Sequence, residues 1–101
     1  MNKGRVIGLL KQHGDAILSY KEPKGTKTVK KGTVTHRLCT LDFKNPYIKS
    51  RTRGNKPWPK NKTDIVVFSW TDNRYWIHNP EHIFKVQPLS EILNNVRPKL
   101  S

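Results

Sequence analysis

Six basic residues, Lys49, Arg51, Arg53, Lys56, Lys60 and Lys62, fall between Ile48 and Thr63 with no acidic residue among them, and Trp58 stands between Pro57 and Pro59. Lys and Arg in such density suit a phosphate backbone, because each contact releases condensed counterions and steepens the salt dependence of binding. Arg51 and Arg53, one residue apart and followed by Gly54, suit a grip on phosphates or a reach into a groove, since the guanidinium fork also pairs with guanine in two places at once. The two prolines restrict the backbone around Trp58, so its ring can stack on an unpaired base at low entropic cost. The plainer alternative has Trp58 folded back onto its own domain, with the lysines merely solvated.

A second basic group, Lys24, Lys27, Lys30 and Lys31, either extends this surface or protects a sheet edge, because lysines discourage pairing with another chain. Whether it joins the first group on one face is left open by Gly32, which interrupts the alternation. Signals for catalysis are weak. His78 and His82 flank Pro80 with Glu81 beside them, but ordinary turn histidines look the same, and no metal-ligand cluster emerges. Cys39 lies in an alternating strand pattern, where a small packed residue is the ordinary reading. No paired carboxylates, phosphate-binding loop or dinucleotide fingerprint occurs, so the expectation is a protein with no catalytic residues, no metal and no cofactor. Trp70, Tyr75, Trp76 and Phe84 read as core and rim aromatics.

The whole chain has the same bias. Of 101 residues, 20 are Lys or Arg and 7 are Asp or Glu, for a net charge of +13. The stretch from Lys21 to Lys62 opposes its many basic residues with only Glu22 and Asp42. Self-repulsion on that scale costs stability and points to a counter-charged partner. Nucleic acid, DNA or RNA, comes first and an acidic protein surface second. A membrane is not expected, for no apolar helical face accompanies the charge. A single cysteine forbids an internal disulfide and fits a reducing, cytoplasmic setting. With 34% hydrophobic residues the core must be small, and one domain is expected.

The elements that must position these residues follow from pattern. Val6, Leu9, Leu10 and His13 form a helical stripe within residues 2–13, with Asn2 placed to cap it and Gly14 to end it. Gly4 and Gly8 each weaken that helix by roughly 1 kcal/mol relative to Ala, so packing must hold it. Strands are expected within residues 16–42: Ala16 to Lys21, Thr26 to Val29, and Gly32 to Leu41. In the last of these Val34, His36, Leu38 and Thr40 share one face and Thr35, Arg37, Cys39 and Leu41 the other. Residues 44–63 lose all periodicity and read as a long basic loop. Strands return within residues 64–87 as Asp64 to Trp70, Tyr75 to His78 and His82 to Val86, separated by turns at Thr71–Arg74 and Asn79–Glu81. Residues 88–101 read as a tail with one short helical turn near Ser90 to Val96. Five short strands, an N-terminal helix and a long basic loop are the element count of a small, mainly β barrel of SH3-like or Sm-like type.

The helix containing Val6-Ile7-Gly8-Leu9-Leu10-Lys11, the strand Ala16–Lys21, the Gly25 turn and His36-Arg37-Leu38-Cys39-Thr40-Leu41 together resemble the start of the WYL-like family of small phage proteins. Ile65–Trp70, Arg74–Ile77 and His82–Val86 are similar to that family's second half. The resemblance covers roughly residues 5–43 and 64–86. It departs in a longer segment between Gly25 and Arg37, and in having Tyr75-Trp76-Ile77 where the family has Trp-Tyr-Leu. It implies an Sm-like, SH3-type barrel and a phage origin, with a regulatory or nucleic-acid-associated role and no reaction. The resulting expectation is a nucleic-acid-binding protein acting in transcription regulation or genome handling. Its alternative is a host-takeover or counter-defence protein that binds an acidic host protein, with Trp58 as a buried anchor.

Overall fold

The computed structural model describes residues 1–53 and 55–91. Helix α1, Lys3–His13, begins where the Asn2 side chain accepts the Arg5 amide and ends at Gly14, whose φ of +77° few other residues adopt and whose N–H reaches the Leu10 carbonyl. Val6 and Leu10 are its buried residues, one turn apart. Five strands follow: β1 (Ala16–Lys21), β2 (Val34–Thr40), β3 (Ile65–Ser69), β4 (Arg74–His78) and β5 (Ile83–Pro88). They form one antiparallel sheet in the order β4-β3-β2-β1-β5. β4 and β5 are its two edges and do not pair, so the sheet is open and no closed barrel forms.

The open sheet is nevertheless rolled. Were it flat, β1 and β4 would lie about 14 Å apart, three strand spacings. Instead the rings of Tyr20 on β1 and His78 on β4 meet edge to face at 4.9 Å. A single turn of 3-10 helix, Pro80–His82, joins the two edge strands, which a flat sheet of this width would not allow. The register between β1 and β5 shifts between Ser19 and Tyr20, and such an irregularity bends a strand.

Inside the curve Val6, Leu10, Ala16, Leu18, Tyr20, Cys39, Ile65, Val67, Ile83 and Val86 make one apolar cluster, with α1 covering it. Of the two β2 faces, the inward one carries Arg37 and Cys39. A smaller aromatic group forms outside the curve, where Phe68 meets Trp70 and Tyr75 edge to face and Tyr75 meets Phe43.

Three expectations need correction. Residues 44–63 are not wholly loop: Pro46–Thr52 is a helix, α2. Asn45 caps it through Tyr47 N–H, and Pro46 opens it, where a missing amide costs nothing. Ile48 is fully buried beneath it, and the Tyr47 ring lies 5.9 Å from Trp70. Thr26 to Val29 is not a strand, because the Thr26 hydroxyl accepts the amides of Thr28 and Val29 and folds the segment on itself. Finally, β2 begins at Val34 rather than Gly32, whose φ of +85° belongs to the turn before it. The turn expected over residues 90–96 lies, from residue 92 onward, outside the described residues.

Candidate nucleic-acid interface

Trp58 does not fold back. It is 83% exposed, the most exposed of the large apolar side chains named among the described residues. Its ring stands at the rim of an open groove of about 410 Å³, whose floor is Ile7 of α1, Leu41, Phe43 and the start of β3 at Ile65 and Val66. The Lys56 ammonium lies 4.8 Å from the Phe43 ring centre and 5.5 Å from that of Trp58. A cation between two ring faces is held by their quadrupoles, which keeps Lys56 over the groove. Pro59 follows Trp58 on the same rim.

Two further cations come from α1. Lys3, Ile7 and Lys11 are one turn apart in sequence, so they share a helix face, and all three line the groove. The Lys3 ammonium also donates to the Lys62 carbonyl, tying the basic segment to the helix. Lys3 and Lys11 were absent from the candidates drawn from sequence, which followed the density of charge rather than the helical repeat. That repeat was the available signal. Asp64 is the one acidic side chain on the groove, and an Asn61 amide lies 3.5 Å from its carboxylate.

The other candidates divide. Lys49 and Arg51 are exposed on α2, near its C-terminal end, where their charge also complements the helix dipole. Arg53 follows as the left-handed cap of α2, with φ of +54°. Lys60 and Lys62 are exposed on the segment that runs from Pro59 to β3. None of these five lines the groove, so among the candidates only Lys56 and Trp58 do so. Lys24, Lys27, Lys30 and Lys31 are exposed on the connection that enters β2 at Val34, whereas the Trp58 segment follows β2's other end at Thr40. About 20 Å of strand separates those anchor points. Lys31 borders a different cleft, shared with Glu22, Glu81 and His82. The two basic groups are therefore not brought into one groove.

Among the described residues the only ion pair joins Arg37 and Asp72. The sequence pattern places Arg37 only in the alternating set Thr35, Arg37, Cys39 and Leu41. It is 9% exposed, and its guanidinium lies 3.8 Å from the Trp76 ring centre, donating to Asp72 and to the Tyr20 hydroxyl at 2.7 Å. Asp72 also accepts the Ser69 hydroxyl at 2.8 Å. His78, stacked near Trp76, is buried; that burial, with the Arg37 charge close by, pushes its pKa down to about 4 and leaves it neutral. Burial likewise pushes the Cys39 thiol up to about 12, so it is no nucleophile at neutral pH.

The described residues contain no cluster of three or more His, Cys, Asp or Glu placed to hold a metal, and no helix long and apolar enough to cross a membrane. Compared with family models, curated proteins and solved structures, the chain matches none.

Proposed function

We propose that this protein binds single-stranded nucleic acid without catalysing a reaction, through the groove beneath Trp58. The observation that carries the reading is the exposed Trp58 ring standing over a groove whose cations, Lys3, Lys11 and Lys56, have no carboxylate partner among the described residues. Aromatic faces exposed beside lysines are the parts of a strand-binding surface: the ring takes a base and the ammonium groups take the phosphates on either side. A duplex offers no free base face to Trp58, which favours DNA or RNA strands that are unpaired. Lys49, Arg51, Arg53, Lys60 and Lys62 extend the positive field along the strand's path, and Lys24, Lys27, Lys30 and Lys31 act as a separate patch. In this reading the rolled sheet is a small SH3-like, Sm-like barrel of the WYL-like phage kind, and the binding serves transcription regulation or genome handling.

The test is fluorescence anisotropy with labelled single-stranded and duplex oligonucleotides over a range of salt. Trp58→Ala should weaken single-strand binding by about 1–3 kcal/mol, the usual worth of one stacked base. Replacing Lys3, Lys11 and Lys56 together by Ala should reduce the slope of log K against log salt by about 2, at about 0.7 per phosphate contact. Tighter binding to duplex, or a Trp58→Ala variant that binds as well as the parent, overturns the groove assignment. No binding at low salt, together with a host protein retained from a nuclease-treated lysate and released by Trp58→Ala, would instead favour an acidic protein partner.

A further inference from the structure

A second surface lies on the outward face of β1, β2 and β5. β1 turns Ala16, Leu18 and Tyr20 into the core, so Ser19 faces the other way, directly opposite His36 of β2 and Lys85 of β5. The three make one row across the sheet. Ser19 is buried between two exposed neighbours, and its hydroxyl lies 2.7 Å from His36 Nδ1. Beside this row the register shift between β1 and β5 leaves Phe84 as an extra residue, with no partner on β1. Phe84 is 49% exposed, on a strand at the edge of the sheet. An exposed ring followed at once by a lysine repeats the association of Trp58 with Lys56. None of Ser19, His36, Phe84 and Lys85 lines the Trp58 groove.

We propose that this face is a second contact for unpaired nucleic acid, in which Phe84 takes a base and the Lys85–Ser19–His36 row takes a neighbouring phosphate. It rests on the reading that the chain binds single strands. Stacking asks only for an accessible aromatic face and is indifferent to which base arrives. Lys85 brings a cation to one end of the row. At the other end, when the Ser19 hydroxyl donates to His36 Nδ1, the proton of the neutral ring sits on Nε2 and makes it a donor. Lys21, two residues along β1 on the same face, adds a second exposed cation. The row itself contains no carboxylate. Glu22 and Glu81 border the cleft on the other side of Phe84, which neither Lys85 nor His36 lines, so the phosphate belongs to the row and not to that cleft. Position separates the two contacts. Phe84 stands at the Lys21 end of β1, beside Val34, whereas the Trp58 groove adjoins the opposite end of β2, about 20 Å away. A stacked trinucleotide covers only about 10 Å, at about 3.4 Å per nucleotide, so it reaches one contact at a time. A long strand reaches both, and the second contact then raises its affinity through effective concentration.

The test maps a thymidine trinucleotide onto the full chain by NMR chemical shifts and measures a long labelled single strand by fluorescence anisotropy. Both are repeated on Trp58→Ala, Phe84→Ala and Lys85→Ala, with folding checked by circular dichroism. In Trp58→Ala the trinucleotide should still shift the amides of His36, Phe84 and Lys85. Phe84→Ala should abolish those shifts and keep the shift of the Trp58 indole. The long strand should lose about ten-fold or more in affinity on Phe84→Ala, as for one stacked base. Lys85→Ala leaves the ring in place and should lower the slope of log K against log salt by about 0.7. Shifts around Trp58 alone, with Phe84→Ala and Lys85→Ala binding the long strand like the parent, overturn the second contact and leave the groove standing. Shifts around Phe84 alone keep the second contact and overturn the groove. Failure of both strands to bind overturns the two together. Equal shifts around Phe84 on adding polyglutamate also overturn the proposal, because they show a face that reads acidic protein without stacking.

Discussion

Replacing Asp72 by Ala should cost this protein a large part of its stability. Among the described residues Asp72 is the only carboxylate paired with the buried guanidinium of Arg37, and its side chain is 30% exposed against 10% for Arg37. Breaking a buried pair by removing one partner typically costs 3–5 kcal/mol, since the remaining charge is left without compensation. Partial exposure of Asp72 lets water replace some of what it supplied, which lowers the expected loss to about 2–3 kcal/mol. The Ser69 hydroxyl loses its acceptor in the same step. Small domains hold only about 5–15 kcal/mol in total, so the loss is severe. With a urea m-value of about 1–2 kcal/mol/M for a chain of this size, the unfolding midpoint should fall by about 1–3 M. Arg37→Met combined with Asp72→Ala should be more stable than Asp72→Ala alone, because the uncompensated charge is gone; this is the sign that identifies the pair as the cause. A midpoint shift under about 0.3 M for Asp72→Ala would show that the tryptophan stack and the Tyr20 hydroxyl hold Arg37 unaided, and the reasoning would fail.

The buried imidazole gives a pH dependence of known sign. The pKa of His78 is lowered from 6.5 to about 4, so the native state binds fewer protons than the unfolded one between those values. Its contribution is full above about pH 6.5 and is lost as the pH falls toward 4, at up to about 1.4 kcal/mol per unit. Urea midpoints measured from pH 7.5 to 4 should therefore drop more steeply for the parent than for His78→Gln, and parallel curves would contradict this. Cys39, fully buried and with its thiol pushed up to about 12, should resist a thiol-disulfide reagent at pH 8 in the native protein and react within seconds in denaturant. Prompt reaction under native conditions would show that the β1–β2 region opens far more readily than its burial implies.

The parts of the fold legible in sequence are those fixed by local chemistry. Asn2 and Gly14 bracket α1 because one side chain supplies an acceptor and the other residue a backbone conformation, and neither depends on distant contacts. β3 is a run of Ile, Val, Val, Phe and Ser that is buried along its whole length, which leaves few alternatives to a strand inside the domain. α2 was hidden, although Asn45-Pro46 is a start signal, because its only buried apolar anchor is Ile48 and the basic residues around it carry no helical stripe. Thr26 to Val29 has the composition of a strand, and hydroxyl-to-amide bonds within the segment outcompete it. Arg37 was beyond any local reading. What buries it comes from Tyr20 on β1, Asp72 in the β3–β4 turn and Trp76 on β4, and only the rolling of the sheet brings those three to one place.

The charges are divided within this fold. Asp15 accepts the Trp70 indole N–H, Glu22 the Thr35 hydroxyl and Asp72 the buried guanidinium, so these scarce carboxylates are engaged in holding elements together. Lys11, Lys49, Arg51, Arg53, Lys56 and Lys60 have no carboxylate partner among the described residues. A surface built only for solubility mixes both signs and avoids a field of one sign. Here Asp15, Glu22 and Asp72 bond to the protein's own turns and strands, while the basic residues around the exposed tryptophan face outward. Such a division raises the free protein's self-repulsion. In the proposed reading, a polyanion lying along this face relieves that repulsion.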